Sequence, residues 1–141
     1  MSARTATAVK AHLEGLGLGI PWYADRAPPG KTPPFGVVVE LPQGGVPDGH
    51  GDFGDPDADE ALTELAQVDV VQRIRDSAGR LADDPALPDL VAQGLRGARL
   101  PTAPWHVYGV HLDIVGPRQE ISPNVAQTSI TIRVRRALRR L

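Results

Sequence analysis

Two stretches decide the fold: residues 105–115, WHVYGVHLDIV, and residues 125–136, VAQTSITIRVRR. In the first, Tyr108, Val110, Leu112 and Ile114 fall on one face of an extended chain, with His111 and Asp113 on the other. In the second, Ile130, Ile132 and Val134 alternate with Thr131, Arg133 and Arg135. A period of two is the signature of strands that bury one face and wet the other, and it favours antiparallel pairing. Gly116 and Pro117 end the first strand.

Working outward, residues 35–41, FGVVVEL, are β-branched and closed by Pro42, and residues 62–73 carry Ala66, Val68 and Val70 in alternation. Both are expected to be strands. Residues 3–16 place Ala6, Val9, Leu13 and Leu16 at helical spacing before Gly15, Gly17 and Gly19, which predicts a short amphipathic helix. Pro21, Pro28, Pro29, Pro33 and Pro34 make residues 21–34 an extended connector. Residues 74–98 read as helical, with Pro85 and Pro88 breaking or kinking the helix. Residues 42–59, rich in Gly, Pro and Asp, form a loop long enough to suggest function. The expected fold is therefore α+β: an antiparallel four-stranded sheet with helices packed on one face, in α-β-β-α-β-β order.

Composition narrows the function. A chain of 141 residues fits one domain, expected to span residues 1–141. Fifteen Lys and Arg against 17 Asp and Glu leave a net charge of −2, which lacks the basic footprint of a dedicated nucleic-acid binder. With no cysteine, disulfides, thiolate metal sites and cysteine nucleophiles are excluded. No apolar run approaches the roughly 20 residues that span a membrane, and the first residues are too polar for a signal peptide. The single charge asymmetry is the basic C-terminal end, residues 135–141, following Arg133.

The search for chemistry comes out empty. Asp55, Asp57 and Asp59 imitate the opening of a calcium loop, but Glu60 stands where the sharp turn needs glycine and Ala66 where the ion needs a bidentate glutamate. That segment reads as a solvated turn. On an unbroken strand, His106 and His111 point to opposite faces and cannot share a metal. His111 and Asp113 share a face, yet Ser77, Ser122 and Ser129 lack the flanking glycines of a nucleophile elbow. Gly15, Gly17 and Gly19 follow a helix, so they cannot cradle a phosphate at a helix start. No catalytic residue, metal or cofactor is expected.

One resemblance organises these observations. Strand 35–41 followed by Pro42-Gln-Gly-Gly, then Phe53-Gly-Asp55-Pro-Asp57-Ala-Asp59, then Gln67-Val-Asp-Val-Val71, then Arg75-Asp-Ser-Ala-Gly-Arg-Leu-Ala-Asp83 resembles the tail terminator (tail completion) proteins of long-tailed bacteriophages. The resemblance runs from the first strand to the last. Family members tend to have one continuous helix after the second strand, whereas Pro85 and Pro88 interrupt it here.

The resemblance implies a non-enzymatic virion protein at the head-proximal end of the tail, assembled in the host cytoplasm. Copies close into a hexameric ring on the tail tube, stop its polymerisation, and present a surface to a head-completion or connector protein, while DNA passes through the lumen without specific binding. No membrane partner is implied. Ring closure needs head-to-tail interfaces. The residues expected to supply them are Gly44, Gly45, Asp52, Phe53, Asp55 and Asp57 in the loop, and His111, Asp113, Arg133 and Arg135 on the strands. The alternatives are another head–tail joining component, a small-ligand domain using His111, Asp113 and Asp55, and a nucleic-acid module using the arginine tail.

Overall fold

The computed structural model describes residues 5–41, 46–47, 60–98, 100 and 105–138, and the side chains of all of these except 46–47, 60–63, 105–109 and 135–138. Helix α1 spans Thr5–Gly15, strands β1 Trp22–Ala24, β2 Phe35–Glu40, β3 Val46–Pro47 and β4 Glu60–Arg73, helix α2 Ala86–Leu95, and strands β5 Trp105–Val115, β6 Gln119–Ser122 and β7 Val125–Leu138.

These strands form one seven-stranded sheet ordered β1-β2-β4-β7-β5, with β3 on β4 and β6 on β7. The expected antiparallel four-stranded sheet in α-β-β-α-β-β order is thereby corrected. Trp22, Tyr23 and Ala24 pair in parallel with Gly36, Val37 and Val38, so the sheet is mixed. The three added strands have three, two and four residues, too short for alternation to be visible in sequence. The prolines of the connector flank β1 rather than enter it, where a missing N–H would break the ladder. Pro21 instead offers its carbonyl to the Gly36 N–H at 2.9 Å.

The backbone of the sheet is the β4–β7 pair. All 14 residues of β4 are in register with β7, from Glu60 opposite Leu138 to Arg73 opposite Val125, a ladder about 46 Å long. β5 and then β6 run along the other side of β7 in the same direction. Val68, Ile130 and Ile132 are 0% exposed and Val70 and Val134 1%, so one face of this ladder is dry. Ala6, Val9 and Leu13 of α1 and Leu87, Val91 and Leu95 of α2 join them in a single core cluster. Among the described residues no helix is long and apolar enough to cross a membrane.

α1 has no acidic residue in its first turn. Two strands supply the charge instead: the Ala6 N–H donates to Glu40 Oε1 at 2.9 Å, and the Thr5 hydroxyl donates to the Glu64 carboxylate. Carboxylates at this end satisfy free N–H groups and complement the helix dipole.

The expectation of helix through residues 74–98 is also corrected. Residues 74–84 form a compact turn, with Arg75 bridged to Leu81 and Ile74 accepting the Ala82 N–H. Asp76 Oδ1 accepts the N–H groups of Ala78 and Arg80 at 2.9 Å, and Gly79 takes φ +77°, a value that side-chain-bearing residues rarely adopt. A short acidic side chain that satisfies nearby amides competes with helix. Asn124, at the β6–β7 turn, ties this excursion down through two 2.7 Å bonds with the backbone of Arg75.

α2 starts only at Ala86, and Pro88 sits in its first turn, where its missing N–H has no intrahelical partner to lose. The cap comes from Asp84, whose Oδ1 accepts the Ala86 N–H at 2.9 Å and whose carbonyl accepts that of Leu87 at 3.1 Å. Asp84→Ala is expected to cost about 1 kcal/mol of stability, measured by urea unfolding, and Asp84→Asn much less.

Candidate interface on the open sheet face

The sheet face away from the helices carries the second half of each alternation. Leu65, Gln67 and Asp69 on β4 and Gln127, Ser129 and Thr131 on β7 are half-buried, while Arg133 is exposed. A polar chain crosses the central strands. The Ser129 hydroxyl donates to Asp69 Oδ1 at 2.7 Å, Gln67 Nε2 donates to the same oxygen at 2.8 Å, and Gln127 Nε2 donates to Ser129 Oγ at 3.2 Å. These pairings hold cross-strand register and keep polar groups satisfied on a face that neither α1 nor α2 covers.

Toward the β5 edge lie three of the residues singled out in sequence. His111 pairs in register with Arg133. The register slips between Leu112 and Ile114, making Asp113 a bulge, and its carboxylate meets Arg133 Nε at 3.2 Å. The bulge turns Ile114 out to 62% exposure, where unbroken alternation had placed it with the buried residues. Bulges and charges on an outer strand discourage uncontrolled edge pairing. Because both partners are solvated, Asp113→Ala is expected to change stability by less than about 0.5 kcal/mol in urea unfolding.

The remaining sequence candidates fall elsewhere. Arg135 lies in β7 opposite Thr63 and Gly109, and its side chain is outside the described residues. Gly44, Gly45, Asp52, Phe53, Asp55 and Asp57 also lie outside them. A second slip between Val107 and Gly109 removes the parity argument that separated His106 from His111. Among the described residues no group of three or more His, Asp or Glu is placed to hold a metal ion.

Toward the β1 edge the open face deepens into a groove of about 430 Å³. Phe35, Val37 and Val71 line its floor, Ile121 and Val125 its far wall, and Arg26 and Lys31 its rim. The connector between β1 and β2 supplies both cations, and Lys31 Nζ stands 5.9 Å from the Tyr23 ring centroid. Tyr23 in turn packs edge-on to Phe35, with centroids 6.1 Å apart. Sequence reasoning missed this groove because it treated residues 21–34 as connection only. The one available signal was that cations and aromatics cluster there: Trp22, Tyr23, Arg26, Lys31 and Phe35 occur within 14 residues.

No protein-family model matches the sequence, and no curated protein does. Among solved structures, a chain of the virion of a native gene transfer agent particle has the same fold. The TM-score is 0.61 at 17% sequence identity, and the alignment covers 94% of each chain. The shared fold therefore extends over nearly the whole molecule rather than a local motif.

Proposed function

We propose that this chain is a structural, non-enzymatic protein of a phage-like virion, and that its copies close into a ring capping the head-proximal end of the tail tube. The observation that carries the reading is the end-to-end likeness of its fold to a chain of a virion particle. The resemblance of the sequence, from the first strand to the last, to tail terminator proteins supplies the finer assignment. The physical character of the molecule supports assembly rather than chemistry. One face of its long sheet is packed, whereas the other is a broad surface of half-buried polar and apolar groups. Assembly proteins spread their binding energy over such surfaces, and a ring requires two different patches per copy that fit head to tail. A head-proximal ring also leaves an aqueous lumen for DNA, for which a chain of net charge −2 offers little nonspecific attraction.

The test is tube growth. Tail tube protein polymerising in the presence of this chain is expected to stop at shorter lengths, read by light scattering, with the chain bound at a ratio of one ring per tube. Unaltered growth together with tight binding to the portal side would replace this assignment by that of a head–tail adaptor.

A further inference from the structure

We propose that the cavity at the Arg73 end of β4 is a binding site for a free α-amino acid with an apolar side chain. Such a site lies beyond the ring reading, and its failure would leave that reading untouched.

The cavity, of about 350 Å³, lies where the chain after α1, the β1–β2 connector, the end of β4, the 74–84 turn and the start of α2 converge. Small-ligand sites run from roughly 300 to 1,000 Å³ and set a few polar groups among apolar walls. Leu18, Ile20 and Leu87 supply apolar wall here. Leu87 belongs to the core cluster, and the other two pack against it.

Gln72 is the first group that asks for a ligand. It lines the cavity and is only 7% exposed. Its Nε2 donates to the Asp84 carbonyl at 3.0 Å, and among the described residues nothing donates to its Oε1. Leaving a buried acceptor without a donor is costly, so a group that brings an N–H into the cavity is favoured.

The charges decide what carries that N–H. Asp76 commits Oδ1 to the N–H groups of Ala78 and Arg80, and Asp84 commits Oδ1 to that of Ala86. The second oxygen of each accepts no bond among the described residues. Arg73, also in the lining and half-buried, forms no ion pair with either carboxylate. Charges of both signs therefore border one cavity without neutralising each other. A ligand of one sign is repelled by part of this lining, whereas a zwitterion complements all of it. An amino acid places its ammonium at Gln72 Oε1 and a rim carboxylate, its carboxylate at Arg73, and its side chain against Leu18, Ile20 and Leu87. Hydrogen bonds between charged groups of this kind are the strong ones.

The experiment titrates the full-length chain with L-leucine in a calorimeter, and saturable one-to-one binding is expected. Isocaproate, which lacks the ammonium, isoamylammonium, which lacks the carboxylate, and glycine, which lacks the side chain, are each expected to bind about tenfold more weakly. Arg73→Gln is expected to weaken leucine about tenfold and to leave isoamylammonium no weaker than before. Asp76→Asn/Asp84→Asn is expected to weaken leucine by a similar factor, since asparagine keeps the capping oxygen but loses the charge. In a nitrogen-labelled sample, leucine is expected to shift the Gln72 side-chain amide resonances. Absence of leucine binding overturns the proposal. Isoamylammonium or isocaproate binding as tightly as leucine overturns it as well, by showing a plain ion site. Undiminished leucine binding to the Arg73→Gln chain does the same. Circular dichroism confirms that each variant is folded.

Discussion

Gly36→Ala is expected to lower stability by about 3 kcal/mol and the midpoint of thermal unfolding by on the order of 10 °C. A Cβ at this position would overlap Cζ3 and Cε3 of the Trp22 ring, far inside contact distance. The ring cannot simply swing aside, because Trp22 is 4% exposed and belongs to the core cluster. Nor can the strand withdraw cheaply. Gly36 is fixed by the bond to Pro21 and by its register with both Trp22 and Val70. Relief must come from backbone movement of β1, the edge strand whose connector roofs the groove. Trp22→Leu combined with Gly36→Ala is expected to recover part of the deficit, since a smaller side chain removes the clash; differential scanning calorimetry of wild type and the two variants measures it. A Gly36→Ala protein as stable as wild type would show that the Trp22–Gly36 approach is not a constraint on the fold.

Ile132→Ala is expected to cost about 2–5 kcal/mol. Ile132 is 0% exposed and lies on β7 between Ala66 of β4 and Leu112 of β5, where both neighbouring strands restrict collapse into the vacated space. Ile132→Val removes one methylene and is expected to cost about 1 kcal/mol. The neighbouring substitution Thr131→Ala falls on the half-buried open face and is expected to change stability by no more than about 0.5 kcal/mol. Urea unfolding of these three variants measures the two-sidedness of the sheet directly. A Thr131→Ala cost equal to that of Ile132→Ala would contradict it.

The parts of the fold legible in the sequence are those governed by a long, regular period. Residues 62–73, 105–115 and 125–136 announce β4, β5 and β7 through their alternation, residues 35–41 announce β2 through a β-branched run closed by Pro42, and α1 follows from Ala6, Val9 and Leu13. What escaped was set by interactions without a period. β1 exists because Trp22 packs on Gly36, a contact between residues 14 apart that no local pattern encodes. The 74–84 turn exists because Asp76 accepts two amides and Gly79 supplies a positive φ, signals that the apolar spacing of Ile74, Ala78 and Leu81 concealed. Bulges at Tyr108 and Asp113 broke the parity on which face assignments along β5 depended.

The candidate surface divides the same way. His111, Asp113 and Arg133 were visible because an alternating strand marks its wet side, and the structure brings Asp113 and Arg133 together as an ion pair. The Asp69–Ser129 bond joins residues 60 apart and becomes visible only once β4 and β7 are in register. The groove likewise needs a strand pairing, β1 on β2, before Arg26, Lys31 and the apolar floor meet. Long-range register, more than residue type, decides which side chains act together.

The most direct test of the central claim is negative-stain imaging of the pure chain, alone and then mixed with preformed tail tubes. The account expects closed rings, free or seated at one end of each tube, with the opposite end bare. Monomers that leave both tube ends unoccupied would contradict it.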